Sequence, residues 1–318
     1  MIVDLYAGCG GWSEGLKYFN LKDIGYDLLP EACETRINAG HNVSQVDLLF
    51  HDAHESQILI ASPPCQTFSI AGKRVGLLSI DLIIKRIKTA NWSIKDLDTG
   101  TSHVLIPGRW IDAGCETIMF EQVPTVLPIW DAYCSLLKSR GWSAWSGILN
   151  SADYGVPQTR KRAILIASKV RNVKMPVPTH GKNVNNLFTN LSPWVSMSDI
   201  MKSKSNGILS NSDTSDWSIN TGRDWKPGGT RDDAQKISST LPAPTLTSMS
   251  GKQWIITGSN RLSPKITIQD ALIFQSFRSD YPIAGKTKKI QFLQTANAIP
   301  PLLAAHICSA ALGLEFQL

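Results

Sequence analysis

Short apolar runs alternate with longer helical patterns over the first 168 residues of the chain. Each run is five to seven residues long and is bounded by turn-forming residues, which is typical of buried strands. The six runs are MIVDLY, DIGYD, NVSQVD, ILIAS, TIMFEQV and AILIAS. Three other segments carry apolar residues at helical spacing: GWSEGLKYF, PEACETRINA and PTVLPIWDAYCSLLKSR. Strands that alternate with helices predict an α/β fold with a doubly wound parallel sheet.

The character of the chain changes after Lys169. Residues 169–260 are rich in Ser, Asn, Gly, Thr and Lys and contain isolated tryptophans, so we expect a second, smaller, loop-rich domain there. Helical patterns return in TIQDALIFQSF and PPLLAAHICSAALGL, and the latter is apolar enough to pack against the first domain. The predicted domains are therefore 1–168 with 261–318, and 169–260.

The composition is that of an ordinary globular protein, with 42% hydrophobic and 18% charged residues. We expect no membrane span, because no apolar run reaches about 18 residues. We expect no signal peptide, because no basic region precedes the first apolar run. The six cysteines form no CxxC pair, and no histidine cluster has the spacing of a zinc site. We therefore expect reduced thiols in a cytoplasmic protein, without a structural metal.

The basic excess of the chain is confined to its central segment. Residues 169–265 contain 13 Lys and Arg against six Asp and Glu, whereas the whole chain carries a net charge of only +6. A basic segment in an otherwise near-neutral chain is typical of proteins that bind the phosphate backbone of a nucleic acid. A nucleic acid is therefore the predicted partner. A solvated basic face without a partner is the alternative.

A glycine-rich turn follows the first apolar run in DLYAGCGGWSEGL. Its glycines allow a tight strand-to-helix turn whose backbone amides can approach a ligand. Asp27 ends the second run, where a carboxylate suits ribose hydroxyls, and Asp47 ends the third, where it could accept from an adenine amino group. Together they indicate an adenosine-containing cofactor. The GxGG spacing favours S-adenosylmethionine over a dinucleotide, and a turn without a ligand is the remaining alternative.

Cys65 lies just beyond the fourth run, in ASPPCQTFS. Pro63 and Pro64 restrict the backbone before it, at the strand end where such sheets bind ligands. A positioned thiolate there would be a nucleophile, although a cysteine that only fills the core is the commoner case. Glu121 ends the run TIMFEQV, where a carboxyl group can donate a proton or merely cap the next helix.

Gln158, Arg160 and Arg162 alternate in PQTRKRAILIAS as the chain enters the sixth run. Period-two spacing predicts that all three side chains lie on one face of a strand. Two arginines that face one way suit an anion or a carbonyl oxygen, and an ion pair with Glu121 is compatible with that role.

Five of these segments, in this order, resemble the motifs of the bacterial and phage cytosine-C5 DNA methyltransferases. They are DLYAGCGGWSEGL, ASPPCQTFS, FEQV, YGVPQTRKRAILIAS and QTANAIPPLLA. The resemblance covers residues 1–168 and about 261–313. It implies a Rossmann-like, S-adenosylmethionine-dependent methyltransferase sheet, and it makes residues 169–260 a target-recognition domain for double-stranded DNA.

The resemblance also implies a role for each candidate residue. Cys65 would add to carbon 6 of a cytosine flipped out of the duplex, and Glu121 would protonate or hydrogen-bond N3. Arg162 would hold the cytosine O2, Arg160 would support a phosphate or Glu121, and Gln158 would belong to the scaffold. The implied contacts to S-adenosylmethionine are Tyr6, Gly8, Gly11, Asp27, Asp47, Pro64 and Asn297.

Two further elements are implied by the resemblance. One is a mobile loop over residues 67–86 that closes on the flipped base, with hinges at Gly72 and Gly76. The other is a set of DNA contacts in the central stretch GRDWKPGGTRDD, at Arg223, Lys226 and Arg231.

The chain departs from the family pattern at three places. Gln122 stands where the common ENV triplet has Asn, Ala296 stands where a glycine commonly precedes the asparagine, and DTGTSHVL lacks the expected acid–arginine pairing. We expect these departures to affect cofactor binding and loop closure more than the catalytic residues.

Three other functions compete with DNA methylation. A tRNA cytosine-C5 methyltransferase would share the architecture, but the long basic insert favours DNA. An inactive DNA-binding protein is disfavoured by the intact catalytic residues, and a nicotinamide oxidoreductase by the absence of GxGxxG. From the resemblance we expect a monomer, with a cognate restriction endonuclease as a candidate partner.

Overall fold

The structure is a computed structural model that divides into two compact units. It describes residues 1–64, 66–68, 75–182, 184, 190–204, 217–221, 236–257 and 265–316. The first unit comprises Met1–Leu149, Lys161–Val177 and Ala304–Leu318, and the second comprises Asn150–Arg160 and Pro178–Leu303. These units differ from the predicted domain bounds, most clearly because residues 261–303 group with the central segment. The division into a catalytic and a recognition domain stays a prediction.

A seven-stranded sheet forms the centre of the first unit. Its strands are β1 (Ile2–Leu5), β2 (Ile24–Asp27), β3 (Asn42–Gln45), β4 (Ile58–Ala61), β5 (Thr117–Gln122), β6 (Ser143–Asn150) and β7 (Lys161–Ser168). They lie in the order β3-β2-β1-β4-β5-β7-β6, and the first five are parallel. All six predicted strands are confirmed.

The sheet is mostly parallel, as predicted, and departs from the prediction at one edge. Strand β7 pairs with β5 in the antiparallel direction, with Glu121 opposite Ile164. Strand β6 was not predicted, because most of its residues are only partly buried and its apolar positions do not alternate cleanly. The mixed edge matters for the site, since it brings the start of β7 to the end of β5.

Helices and short 3₁₀ turns complete the first unit. They are α1 (Gly11–Leu16), α2 (Pro30–Asn38), α3 (Val75–Leu78), α4 (Ile80–Lys88), α5 (Thr99–Ser102), α6 (Ile106–Ala113), α7 (Leu127–Ser139) and 3₁₀ turns at Lys17–Phe19, His103–Leu105 and Pro124–Val126. The core is continuous: β1 is buried throughout, and Leu59, Phe120 and Leu165 from neighbouring strands are fully buried with it. Burial on both faces explains why these strands are nearly uniform apolar runs.

A buried ion-pair cluster joins α2 to the first two strands. Arg36 Nη2 lies 2.7 Å from Asp23 Oδ2, and its Nη1 lies 3.7 Å from Asp4 Oδ2. Gly25 in β2 leaves room for this side chain, because a Cβ there would lie 2.4 Å from Arg36 Cζ. Burial, together with the nearby Asp23, raises the pKa of Asp4 well above its ordinary value, and Arg36 opposes that rise.

The second unit is built from short strands and helices around its own apolar cluster. Its elements are β8 (His180–Gly181), β9 (Ser192–Pro193), α8 (Met197–Lys204), β10 (Ser218–Asn220), β11 (Lys236–Ser238), α9 (Ser250–Gln253), β12 (Ile255–Thr257), α10 (Ile268–Phe274), α11 (Lys288–Asn297) and a 3₁₀ turn at Ser151–Tyr154. Strands β11, β10 and β12 form a three-stranded sheet. Trp217, Trp254, Phe274 and Phe292 are buried in the cluster, so two of the isolated tryptophans of this segment contribute to a core.

The last helix, α12 (Pro301–Leu312), belongs to the first unit from Ala304 onward. The stretch Lys288–Leu312 is long and apolar enough to cross a membrane by length and composition, which corrects the expectation that no stretch would qualify. Of its most apolar window, 67% is buried inside the protein. Ala298 has an extended backbone, which interrupts the helix between α11 and α12. Burial of this extent is typical of core helices.

The described cysteines are reduced and buried. Burial raises the pKa of the Cys9 and Cys115 thiols to about 12, so both stay protonated and unreactive at neutral pH. Within the described ranges, no group of three or more His, Cys, Asp or Glu side chains is placed to hold a metal ion.

Candidate active site

Five parallel strands end at one edge of the sheet, and most of the predicted site residues of the first unit lie at that edge. Tyr6 follows β1, Asp27 ends β2, Asp47 follows β3, Pro64 follows β4 and Glu121 lies at the end of β5. Strand β1 lies between β2 and β4, so the chain order reverses beside the glycine-rich turn. Open α/β sheets bind ligands at such a switch point, outside the carboxyl ends of the strands.

The glycine-rich turn is tied to the end of the second strand. Gly8 has a left-handed backbone (φ 53°), and its N–H donates to Asp27 Oδ2 at 2.8 Å. The Leu29 N–H donates to the other oxygen of Asp27 at 2.9 Å. Burial raises the pKa of Asp27, and these backbone hydrogen bonds counteract part of the rise. The carboxylate is therefore held in one orientation, and Gly11 begins α1 directly after the turn.

The donor and acceptor set at this edge fits an adenosine group. Asp27 and the half-buried Asp47 offer carboxylate oxygens to hydroxyl and amino donors, and Tyr6 offers an aromatic ring beside them. Asp47 is itself oriented, because the Leu49 N–H donates to its Oδ1 at 3.0 Å. These residues would hold S-adenosylmethionine, which supplies an activated methyl group.

His103 is a member of this edge that the sequence did not reveal. Tyr6 has a left-handed backbone (φ 60°), and its hydroxyl lies 3.1 Å from His103 Nδ1. The two rings meet edge to face with centroids 5.3 Å apart. Burial lowers the pKa of His103, although Asp47 and Asp98 act in the opposite direction. His103 lies in DTGTSHVL, the segment without the family's expected pairing, so no motif pointed to it.

Glu121 and Arg162 form an ion pair at the end of β5. Glu121 Oε1 lies 2.7 Å from Arg162 Nε, and the two side chains are only 6% and 12% exposed. The antiparallel register produces this contact: Ile164 lies opposite Glu121, so Arg162, two residues earlier in β7, is its diagonal neighbour on the same face. The Arg162 Nη1 also donates to the Lys161 carbonyl at 2.7 Å, which orients the guanidinium.

Cys65 lies outside the described residues, but the segments on either side of it are anchored. The Gln122 side-chain amide donates to the Pro63 carbonyl and accepts from the Val123 N–H. The Thr125 hydroxyl donates to the Phe68 carbonyl at 2.8 Å. One flank of Cys65 is therefore attached to the end of β5, where Glu121 lies, and the other to the 3₁₀ turn that follows it.

A second anchor joins the glycine-rich turn to the same segment. The Trp12 indole N–H donates to Ser62 Oγ at 2.9 Å, and Trp12 is only 2% exposed. The predicted cofactor turn and the approach to Cys65 are thus held together by one side-chain hydrogen bond.

Arg160 and Gln158 do not share a strand face with Arg162, because β7 begins at Lys161. Both lie in the second unit and are almost fully buried. Arg160 Nη2 donates to the carbonyls of Ala296 at 2.7 Å and Ala298 at 3.2 Å. Support of a phosphate or of Glu121 by Arg160 stays a prediction. Asn297, the predicted cofactor residue between these carbonyls, is exposed and ends α11.

The predicted mobile loop is partly helical. Residues 80–86 belong to α4, whose Ile83 and Ile87 are fully buried. Gly76 is buried in α3, and a Cβ there would lie 2.8 Å from the Phe68 ring, so its role in this structure is close packing rather than a hinge. Gly72 and the predicted DNA contacts Arg223, Lys226 and Arg231 lie outside the described residues.

Comparison with protein families identifies the family of this chain. A model of the family described as C-5 cytosine-specific DNA methylase matches residues 1–80 and 118–312. The chain belongs to this family. The resemblance predicted from the five motifs is confirmed. The unmatched stretch, residues 81–117, contains DTGTSHVL, where the sequence departs most from the motifs.

Curated relatives of this methylase extend over nearly the whole chain. The type II methyltransferase M1.HphI of Haemophilus parahaemolyticus is 26% identical over 98% of the chain and 87% of its own length. The type II methyltransferase M.HgiDI of Herpetosiphon aurantiacus is 25% identical over 97% of the chain and 93% of its own length.

Solved structures of methyltransferases share the fold of this methylase. The S. pombe Dnmt2 methyltransferase superposes with a TM-score of 0.67 at 16% identity, over 98% of both chains. The Entamoeba histolytica methyltransferase EhMeth gives a TM-score of 0.59 at 17% identity, over 98% and 97% of the two chains. The predicted Rossmann-like α/β fold is confirmed.

Proposed function

We propose that this methylase transfers a methyl group from S-adenosylmethionine to carbon 5 of a cytosine in a specific site of double-stranded DNA. The observation that carries the proposal is the arrangement at the end of β5. Glu121 pairs there with Arg162, and Gln122 and Thr125, at the end of β5 and in the turn after it, bind the two flanks of Cys65. Family membership and the type II methyltransferase relatives support the choice of DNA.

The chemistry starts with Cys65. Its thiolate forms a bond to carbon 6 of the cytosine, and the electron pair of the 5,6 double bond moves into the ring. Glu121 places a proton on N3, or hydrogen-bonds it, so the ring does not carry a full negative charge. Arg162 donates to the cytosine O2, which stabilises the same charge. A base in a duplex cannot reach these groups, so the cytosine must leave the stack at a cost of a few kcal/mol.

The second half of the reaction restores the ring. S-adenosylmethionine, when bound, supplies the methyl group that carbon 5 attacks. Carbon 5 then carries both a methyl group and a proton. Loss of that proton to solvent returns its electron pair to the 5,6 double bond, and the Cys65 sulfur leaves from carbon 6 as a thiolate. N3 returns the proton that it received to Glu121, so both the product and the protein end in their starting protonation states. The chain's own residues thus supply a nucleophile, a proton and a cationic support for O2.

Cofactor contacts are proposed for Tyr6, Asp27 and Asp47 at the edge of the sheet, together with Gly8, Gly11, Pro64 and Asn297. The fixed carboxylate of Asp27 and the oriented carboxylate of Asp47 support the first group. Arg223, Lys226 and Arg231 remain proposed DNA contacts on the basic character of their segment alone. A cytoplasmic monomer, with a cognate restriction endonuclease as a candidate partner, completes the proposal.

The test is methylation of mixed-sequence DNA, with tRNA as a parallel substrate, followed by digestion and mass spectrometry of the nucleosides. We expect 5-methyldeoxycytidine from the DNA. Cys65→Ser should abolish it, whereas Cys134→Ser, a change in α7 away from the site, should not. Methylation of tRNA alone would overturn the choice of substrate, and DNA binding without any methylation would overturn the proposed activity.

A covalent step can be tested separately. DNA that carries 5-fluorocytosine has no proton to lose from carbon 5 after methyl transfer, so the protein–DNA adduct should persist on a denaturing gel. Its absence with the active wild-type protein would remove Cys65 as a covalent nucleophile.

A further inference from the structure

Asn297 is the one exposed residue in the stretch from Gln294 to Pro300, all of which the structure describes. Its neighbours Ala296 and Ala298 are buried, and Ala296 packs into the apolar cluster of the second unit. Helix α11 ends at Asn297, and the backbone turns to an extended conformation at Ala298. The turn therefore presents a single polar side chain from an otherwise buried segment.

Two buried side chains hold the carbonyls on either side of Asn297. Arg160 Nη2 donates to Ala296 O at 2.7 Å and to Ala298 O at 3.2 Å. Gln275 Nε2 donates to Thr295 O at 2.8 Å and to Ala298 O at 3.4 Å. The last carbonyls of a helix have no partner within it, and they favour a nearby cation. Arg160 and Gln275 supply those partners from outside the helix.

Gln158 extends this network towards the central segment. Its Oε1 accepts from the Leu246 N–H at 3.2 Å, and its Nε2 lies 3.3 Å from both Phe274 O and Gln275 Oε1. Because Gln275 accepts from Gln158 and donates to the turn, the orientation of each amide is fixed by the next. Gln158 and Gln275 are fully buried, so each of these hydrogen bonds is made without competition from water.

We propose that Arg160 and Gln275 are positioning residues for Asn297, fixing the turn at the end of α11 so that this side chain is already oriented for S-adenosylmethionine. The inference rests on the proposed function, in which Asn297 contacts the cofactor. It replaces the catalytic role predicted for Arg160. Because the turn is already ordered, cofactor binding does not pay the entropy cost of ordering it. Fixing the turn should therefore increase the affinity for the cofactor and leave the rate of methyl transfer unchanged.

The first test compares two glutamines by the same substitution. Gln275→Met removes two hydrogen bonds to the turn, while Gln291→Met removes a hydrogen bond from α11 to the Gly285 carbonyl. Titration calorimetry without DNA should give a dissociation constant for S-adenosylmethionine that rises roughly 5- to 20-fold for Gln275→Met and less than about twofold for Gln291→Met. Equal weakening by both would overturn the proposal in favour of general destabilisation of the helix.

Arg160→Lys is the second variant, and it allows the proposal to be tested even if Gln275→Met does not fold. It keeps the charge but loses the planar fork, so it should weaken cofactor binding in the same way. In steady state, the KM for S-adenosylmethionine should rise while kcat at saturation changes less than about twofold. A fall in kcat with an unchanged KM would overturn the positioning role and support a catalytic one.

A double variant decides whether the effect passes through Asn297. If it does, Gln275→Met should add no further loss of affinity to Asn297→Ala. Additive losses, or wild-type affinity in Asn297→Ala, would overturn the inference while leaving methylation intact. Failure of the wild-type protein to methylate any DNA would instead overturn the proposed function.

Discussion

Glu121 Oε1 and Arg162 Nε lie 2.7 Å apart, in a pair that is almost fully buried at the end of β5. The contact is a consequence of the antiparallel strand β7, which places Arg162 diagonally across from Glu121. A charged pair in this setting keeps the guanidinium plane fixed, and its two partners are the residues that the proposed mechanism assigns to N3 and O2 of the cytosine.

Glu121→Gln should lower kcat by roughly 10²- to 10⁴-fold, because the amide keeps the shape but cannot place a proton on N3. Cofactor affinity should change little, since the residue lies on the substrate side of the reaction. Single-turnover methylation and calorimetry measure the two effects. Asp131→Asn, in α7 of the same unit, is a control for loss of one carboxylate. A kcat within about tenfold of wild type would remove Glu121 as the proton donor.

Gln122→Asn should slow the reaction although it restores the residue most common in the family triplet. The shorter side chain cannot reach the Pro63 carbonyl while it also accepts from Val123 N–H, so one anchor of the Cys65 segment is lost. A hydrogen bond of this kind is worth about 1 kcal/mol, which corresponds to roughly fivefold in the rate of adduct formation. The rate is measured with 5-fluorocytosine DNA. Wild-type kinetics in this variant would show that the anchor is dispensable.

The sequence predicts the strands of this protein far better than their directions or partners. All six predicted strands exist. Five of them are mostly buried, whereas the edge strand β3 is only partly buried. The alternation of side chains along a strand identifies the face on which Arg162 lies. It does not predict that β7 is antiparallel to β5 or that β7 begins at Lys161. Arg160 was therefore placed on a strand to which it does not belong.

Other parts of the site depend on contacts between distant segments. The partners of Arg160 lie more than 130 residues away along the chain, at Ala296 and Ala298. His103 meets Tyr6 across 97 positions and belongs to no family motif. By contrast, helix α4 could have been found, since Ile80, Ile83, Ile84 and Ile87 follow helical spacing.

Asp27→Asn should weaken S-adenosylmethionine binding by roughly 10- to 100-fold, because a hydrogen bond to a charged acceptor contributes about 1.5–3 kcal/mol. The change also brings an amide group towards the Gly8 or Leu29 N–H, so one of the two hydrogen bonds that orient the Asp27 side chain is lost. Calorimetry with the free protein measures the affinity. Asp52→Asn, an exposed carboxylate in the same part of the chain, should bind like wild type. Equal affinity for Asp27→Asn would exclude a cofactor contact at this residue.

Arg36→Met should lower the free energy of unfolding by roughly 3–5 kcal/mol, because it leaves Asp23 and Asp4 without their buried counter-ion. Urea denaturation at neutral pH measures this difference. Arg140→Met is the matched control: Arg140 pairs with Asp112 at 2.6 Å, but both side chains are about one third exposed. Its loss should therefore cost no more than about 1 kcal/mol. Similar losses for the two variants would mean that the Arg36 cluster contributes no more than a surface pair.

His103 should make a contribution to the stability of the protein that is lost as the pH drops below 6.5. Burial lowers the folded-state pKa of His103 below its ordinary value of 6.5. Between the lowered value and 6.5, the unfolded chain binds a proton at this residue while the folded protein does not. The contribution of His103 to the free energy of unfolding is therefore complete above pH 6.5, and it decreases as the pH falls through this window.

His103→Phe keeps an aromatic ring against Tyr6 and removes the titrating group. Urea denaturation at about pH 7.5 and about pH 5.5 should show a smaller loss of stability for this variant than for wild type. His180, whose pKa burial also lowers, should supply part of the remaining pH dependence, so the His103→Phe/His180→Phe double variant should be flatter still. An unchanged pH dependence in His103→Phe would mean that His103 titrates alike in the folded and unfolded states, contrary to its burial beside Tyr6.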